Sequence, residues 1–299
     1  MSLSLHYSDI AAKRLWVNVL GPEFAKELVR YTIPRPIRNW LRSPARSFEW
    51  IADNALFSLG VTKRLRLSHN VNVLLHPHAF KIGRGQIADP EQHAELDNFI
   101  RQCDGQMFLF DIGAHYGLFS LAAAQLGAKA VAVEPSASAI RIMIRQIAMN
   151  HLTDRIRPVP AAASELPGVL RVLDSGVFSD GYMKFVRERP MRELTEVPAV
   201  SIDKIAAQYG APTHIKIDVE GHEAAVLRGG RETLTRFSPK LFLELHSHML
   251  TMDGLDPRAA LDELDGLGYE TFALDGSRID RTKILQEPLM RITANRVAK

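Results

Sequence analysis

From Met107 onward the chain alternates short apolar, β-rich runs with helical segments, the pattern of a parallel sheet covered on both faces. The apolar runs predict strands at Met107–Phe110, Ala130–Val133, Ile156–Pro160, His214–Ile217 and Leu241–Leu245. Apolar residues at helical spacing predict helices at Leu118–Leu126, Ala137–Asn150, Glu223–Phe237 and Arg258–Leu267. Upstream, a helix is expected from about Gln92 to Cys103 and a strand at Val71–Leu75. The His76 to His78 stretch, with Gly83 and Gly85, reads as turns and short strands. Residues 164–200 carry Gly168, Gly176 and Gly181 among β-type residues such as Val172 and Val177. They are expected to form an inserted hairpin or lid, because a structureless loop of that length is unusual.

Residues 1 to about 68 read as helices broken by prolines, with Leu15, Trp16, Val19 and Leu20 at helical spacing, so residues 1–70 are assigned to an N-terminal helical cap and 71–299 to the main domain. Charge divides along the same line. The first 70 residues hold eleven Lys/Arg against five Asp/Glu, in a chain whose net charge is only +3. Arg35, Arg38, Arg42 and Arg46 would make a basic stripe on a helix, usable against a membrane surface or a lipid-linked substrate, although Pro34, Pro36 and Pro44 interrupt it. A solvated face or a homo-oligomer contact is the plainer account. No aromatic-interleaved basic motif accompanies the charge, so nucleic acid is not an expected partner.

The 299 residues are 46% hydrophobic, enough for one large domain with an extension. No apolar run approaches the ~20 residues of a membrane-spanning helix, and no signal-peptide pattern opens the sequence, so a cytoplasmic location is expected. The single cysteine, Cys103, offers neither an intramolecular disulfide nor a zinc knuckle.

Three clusters carry chemistry. The first, Asp111-Ile-Gly113-Ala114-His115-Tyr116-Gly117, leaves an apolar strand and opens a helix, where glycines admit a close ligand approach. Its G-x-x-x-G spacing differs from the G-x-G-x-x-G of dinucleotide sites. A carboxylate at Asp111 would repel a diphosphate yet suit the ammonium and sulfonium of S-adenosylmethionine. The second is Glu134, about 20 residues beyond the glycines at a strand end, from which an acid reaches ribose hydroxyls. Ala161-Ala162-Ala163-Ser164 then offers small residues, Ala162 among them, to the edge of an adenine ring. The third is the run from Lys216 through Asp218, Glu220, Gly221 and His222 to Glu223, joined by Glu244-Leu-His246 on the next strand. Both bring carboxylates and imidazoles to the C-terminal edge of the sheet. Glu223 at a helix start also suits the macrodipole.

Together the Asp-x-Gly-Ala turn, Glu134-Pro135, the Lys216 to Glu223 run with Val226-Leu227 and Gly229-Gly230, and Glu244-Leu-His246 resemble the FkbM family of methyltransferases over roughly residues 71–275. The resemblance implies a class I methyltransferase fold: α/β, Rossmann-like, doubly wound around a mostly parallel seven-stranded sheet. It implies S-adenosyl-L-methionine as donor and O-methylation of a hydroxyl on a sugar or natural product. Asp111, Gly113, Ala114, Gly117, Glu134 and Ala162 would then serve the cofactor, and the 218–223 and 244–246 clusters would face the acceptor. His115 and Tyr116 depart from the Asn and small aliphatic residue usual in that family.

Catalysis of hydroxyl methylation needs a proton acceptor. His246 is the first candidate and His222 the second, since neutral imidazole is the common base near pH 7, with Asp218 beside them. Asp218, Glu220, Glu244 and the two histidines could instead hold a divalent cation, with Asp218, Glu244 and His246 the leading ligand set, though no recognisable metal spacing is present. An NAD(P)-dependent oxidoreductase and a degenerate donor-binding scaffold are the rival functions.

Overall fold

A hairpin of β1 (Lys63–Arg66) and β2 (Asn72–Leu75) is followed by two helices, α1 (Pro77–Ala88) and α2 (Pro90–Ile100). Strands and helices then alternate through β3 (Phe108–Ile112), α3 (Leu118–Gln125), β4 (Lys129–Val133), α4 (Ala137–Met149) and β5 (Ile156–Val159). Next come four strands, β6 (Ala162–Ala163), β7 (Gly168–Asp174), β8 (Met183–Phe185) and β9 (Thr195–Val200). The remainder runs α5 (Ile202–Tyr209), β10 (His214–Ile217), α6 (Glu223–Arg228), α7 (Arg231–Phe237), β11 (Lys240–Leu245), α8 (Ser247–Met252), α9 (Ala259–Gly266), β12 (Tyr269–Ala273) and β13 (Met290–Arg296). This computed structural model describes residues 52–174, 183–185, 195–252, 255–282 and 286–296. The chain divides into two units, Met1–Ala52 and Asp53–Lys299. The helical cap residues Leu15 to Leu20 and the Arg35 to Arg46 stripe lie outside the described residues.

The main sheet has seven strands in the order β12-β13-β11-β10-β3-β4-β5. The five from β11 to β5 pair in parallel, and β13 runs antiparallel to both its neighbours. This is the mostly parallel, Rossmann-like α/β sheet of the class I methyltransferase fold. Strand side chains alternate between faces, and that alternation sorts the core into two layers. Leu109, Ala130, Ala132 and Phe242 pack on one face with Phe99 and Ile100 of α2, Leu121 of α3 and Met143 of α4. Phe110, Ile112, Val131, Val133, Ile215, Ile217, Leu241 and Leu243 pack on the other, with Ile205 of α5, Val226 of α6, Leu234 of α7 and Leu264 of α9. The same alternation puts Asp111, Lys216 and Glu244 on the first face. Lys216 stands in register between Asp111 of β3 and Phe242 of β11.

β3 has β4 on one side and β10 on the other, so strand order reverses between β3 and β10, where open α/β sheets bind ligands. The insertion forms a second sheet in the order β6-β9-β7-β8. In it β6 pairs in parallel with β9, and β7 pairs antiparallel with β8 and β9.

Three local expectations are corrected. Residues 63–66, read as the end of a helical stretch, form β1. The His76 to Gly85 stretch is the helix α1 and not turns. His76 caps it by accepting the His78 N–H, Pro77 sits in its first turn, and a Cβ on Gly83 would press on the Leu65 side chain at 2.8 Å. The single helix expected over Glu223–Phe237 is two, α6 and α7, parted at Gly229-Gly230. A Cβ on Gly229 would fall 2.2 Å from the Ser164 carbonyl oxygen, so the insertion presses on the break.

His76 is fully buried against Phe57, and burial holds its imidazole down at about 4. The unfolded chain protonates near 6.5, so this contribution to stability is complete above that pH and lost as pH falls towards 4. Urea unfolding is expected to show His76→Asn, which keeps a capping side chain, losing roughly 2 kcal/mol less stability than the native protein between pH 7.5 and pH 5.

Candidate active site

At the switch point, the turn after β3 is latched to its neighbours through the backbone. Gly113 and Ala114 both donate to the Val133 carbonyl of β4, and Asp218 donates from its N–H to the Ile112 carbonyl. Gly113 has φ +81°, and a Cβ there would lie 1.8 Å from the Asp218 carbonyl oxygen. Only glycine fits, and the fit brings the end of β10 directly onto the turn. Above it opens a cleft of about 1010 Å³, counting space open to solvent, lined by Asp111, Gly113, Ala114, Glu134, Ala162 and Asp218, among others. Those expected residues are brought together. Gly117 is not among the lining residues; it starts α3 at φ +80° and makes room for Met143.

The two carboxylates expected to serve the cofactor, Asp111 and Glu134, are fixed differently. Asp111 accepts from the N–H and hydroxyl of Ser120, at 3.1 and 2.6 Å, so it is tied to the first turn of α3. Burial raises its pKa against those bonds. Glu134 accepts the His115 N–H at 2.9 Å and the Ser136 N–H at 2.7 Å, one on each oxygen, and burial pushes it up to about 7. Each oxygen keeps a further lone pair, and Pro135, Ala162 and Ala163 leave a small-walled slot beside it. His115 takes φ +51°, in the left-handed region where asparagine, aspartate and histidine are the commonest non-glycine residues, and its ring lies tilted against Tyr116 at 3.9 Å between centroids.

At the other end lies an ionic cluster that sequence reading divided into separate motifs. The Lys216 ammonium is buried, 3.0 Å from Glu244, 3.4 Å from Glu95 of α2 and 3.6 Å from Asp218, and 4.5 Å above the Phe119 ring. Arg291 of β13 closes the far side, 3.1 Å from Glu95 and 3.0 Å from the second oxygen of Glu244. Burial would lower Lys216, but its three carboxylates raise it well above the usual lysine range. Burial likewise opposes ionisation of Glu244, yet Lys216 and Arg291 pull it down to about 2. Burial pushes Glu95 the other way, to about 7, and desolvation with the neighbouring Glu244 and Glu95 also raises Asp218, against Lys216 and His246, which lower it. Sequence reading names Lys216 only as the start of the third run, without a role, and does not reach Glu95 or Arg291. A lysine inside an otherwise apolar strand was the available signal for Lys216, whereas nothing local marks Glu95 or Arg291.

Of the proton-acceptor candidates, Asp218 lines the cleft with its side chain 33% exposed. His246 stands behind it, its Nε2 3.7 Å from Asp218 and its Nδ1 2.7 Å from the fully buried Glu223 carboxylate. Burial lowers the imidazole's proton affinity, but Glu223 and Asp218 outweigh this and raise it. Glu223, expected to serve a helix dipole, therefore orients His246 and also accepts the Gly221 N–H. His222 faces the insertion, its Nε2 3.1 Å from the Ser164 hydroxyl. Oxygen and nitrogen atoms of Asp218, Glu244 and His246 do lie within 4.8 Å of one another. A cation already stands among them, the Lys216 ammonium, 3.0 Å from one oxygen of Glu244 and 3.6 Å from Asp218, with Arg291 3.0 Å from the other oxygen of Glu244.

Replacing Lys216 by methionine would leave Glu244, Glu95 and Asp218 crowded without their ammonium. A loss of roughly 3–5 kcal/mol in unfolding free energy is expected by chemical denaturation, the usual cost of stripping one partner from a buried pair.

Residues 111–271, more than half of the chain, match the Methyltransferase FkbM domain. A ribosomal protein L11 methyltransferase from Geobacter sp. (strain M21) is 29% identical over 85 residues, 28% of each chain, so the match spans little more than a quarter of that curated relative. Among solved structures, a methyltransferase FkbM from Methylobacillus flagellatus KT is 18% identical at a TM-score of 0.42, covering 73% of this chain and 58% of that one. An rRNA methylase from Streptococcus thermophilus is 10% identical at 0.43, covering 70% and 98%. With the family match running from Asp111 of the glycine turn, through Glu134 and Asp218, past His246 to β12, the chain belongs to the FkbM methyltransferase domain family.

Proposed function

We propose that the protein is an S-adenosylmethionine-dependent O-methyltransferase acting on a hydroxyl of a small molecule, a sugar or natural product. The observation that carries this reading is Glu134: a carboxylate pinned by two backbone N–H groups, with lone pairs left for a ribose diol and a small-walled slot for a flat ring alongside. The donor supplies a methyl group on a sulfonium, whose carbon–sulfur bond breaks as the new carbon–oxygen bond forms, leaving a neutral thioether.

The chain's own part is to hold the two reactants in line and to remove the hydroxyl proton. Asp218, at the cleft wall beside the Gly113 turn, is placed to accept that proton, with His246 held behind it by Glu223. Ile82, Leu118 and Phe119 give the cleft an apolar wall for the body of the acceptor. No lysine or arginine other than Lys216 lines the cleft among the described residues, and its charge is already met by Glu244 and Glu95, which favours an uncharged acceptor group. The oxidoreductase reading is disfavoured by the carboxylate of Asp111, at the end of β3 beside the glycine turn, where a nicotinamide dinucleotide would bring its diphosphate.

Calorimetric titration tests the proposal. S-adenosylmethionine and S-adenosylhomocysteine are expected to bind saturably, Glu134→Ala to weaken both by about ten- to a hundredfold, and NADH and NADPH not to bind. Absence of donor binding in folded protein, or tight nicotinamide binding, would overturn it. Once an acceptor is found, exhaustive chelation is expected to leave turnover unchanged, because Lys216 holds the cation position.

A further inference from the structure

The helix α1 links the two ends of the cleft. Its first turn meets the glycine turn, where the His78 and Tyr116 rings stand edge to face at 6.0 Å between centroids. Beyond its last turn the chain passes through Asp89, the cap of α2, to Glu91, 3.4 Å from Arg291, and Glu95, 3.4 Å from Lys216. One end of α1 is thus set against the turn expected to serve the donor, and the other leads to the ionic cluster behind Asp218.

Ala79, Ile82, Gly83 and Gln86 of this helix line the cleft. Their spacing puts them on one face of α1, with roughly 10 Å of helix axis between Ala79 and Gln86. The first three offer the cleft no polar side chain. Gln86 ends the row, half-buried, its amide hydrogen-bonded to no other described residue. It is the only side-chain amide lining the cleft among the described residues, and no serine or threonine lines it. Asp111, Glu134 and Lys216 are already committed, to Ser120, to two backbone N–H groups and to carboxylates. The row also precedes Asp111, where the match to the family domain begins. It therefore belongs to what this chain sets in front of the shared domain, and such additions change the chemistry that a common fold accepts.

Resting on the reading of this cleft as a methyltransferase site, we infer that α1 selects the acceptor and that Gln86 is its specificity-determining residue. The acceptor is an uncharged hydroxylated molecule with an apolar body, which lies along Ala79, Ile82 and Gly83. It carries a second polar group, a carbonyl or a hydroxyl, which the Gln86 amide holds. A carboxamide both donates and accepts, so it meets either kind of group.

Selection works from both sides. A molecule with the same body but no second polar group covers the amide, displaces its water and returns no hydrogen bond, so it binds less well. A free monosaccharide carries hydroxyls all round its ring, and those turned towards Ala79, Ile82 and Gly83 lose water without gaining a partner. Gln86 takes no part in moving the methyl group or the proton. Its effect falls on which acceptor is bound.

The experiment is ligand-observed NMR titration of the full chain saturated with S-adenosylhomocysteine, using two matched pairs of small probes and one sugar. The pairs are para-hydroxyacetophenone with para-ethylphenol, and para-hydroxycyclohexanone with cyclohexanol; the sugar is methyl glucoside. In each pair the carbonyl probe is expected to bind roughly three- to tenfold more tightly although its counterpart is the more apolar, and methyl glucoside more weakly than either carbonyl probe. Gln86→Leu is expected to remove that preference, with S-adenosylhomocysteine binding used to check that the variant's cleft has formed. Equal or inverted affinities within the pairs in the native protein would overturn the inference, and this comparison needs no variant to fold. A preference that survives in Gln86→Leu, methyl glucoside binding as tightly as the carbonyl probes, or no probe binding at all would overturn it as well. Failure of S-adenosylhomocysteine itself to bind would instead remove the donor reading on which the inference rests.

Discussion

One ammonium group, that of Lys216, sits on the sheet face that carries Leu109, Ala130 and Phe242 and is covered by Phe99 of α2, and the arrangement around it follows from the need to keep it satisfied. A cation in that position requires carboxylates from several directions, and they come from β11, from the end of β10 and from α2. Those carboxylates need cations in turn, which brings in Arg291 from the antiparallel strand β13. A buried cluster of this kind adds little net stability and resists rearrangement, because losing any member strands the rest. It joins α2, β10, β11 and β13 immediately behind the wall of the cleft.

The strands, their parallel order and the glycine turn were legible because each is written in a few consecutive residues. β3, β4, β10 and β11 are apolar runs ending in an acid or its neighbour, and period-two alternation does the rest. α1 was misread because His-Pro-His and two glycines resemble a turn when their partners are unknown. With Leu65 of β1 in place, Gly83 is the residue that lets helix and hairpin touch, and Pro77 marks a helix start. Gly229-Gly230 falls within the single helix expected over Glu223–Phe237, and it is where the insertion leans on the break between α6 and α7. Local signals gave the elements, and long-range contact decided what each glycine was for.

The site was legible in its residue types and less so in their roles. Asp111, Gly113, Ala114, Glu134, Ala162 and Asp218 meet in one cleft, as strand-end positions should. The histidines drew attention for their usual chemistry near neutral pH, yet His246 is turned towards Glu223 and His222 towards Ser164. Glu95 lies in a helix more than 100 residues from Lys216 and could not have been assigned from spacing. Such a pairing appears only when the fold brings α2 over β10.

The insertion is fastened at the rim of the cleft. Ser164 meets His222, Glu165 meets Arg228 at 2.7 Å, and the backbone between them occupies the space above Gly229. The stretch that follows β5 is therefore not an exchangeable cassette. A graft of another member's insertion onto this core would need His222, Arg228 and Gly229 to travel with it as one unit of inheritance. Recombination that cuts between β9 and α6 would separate a loop from the socket that receives it.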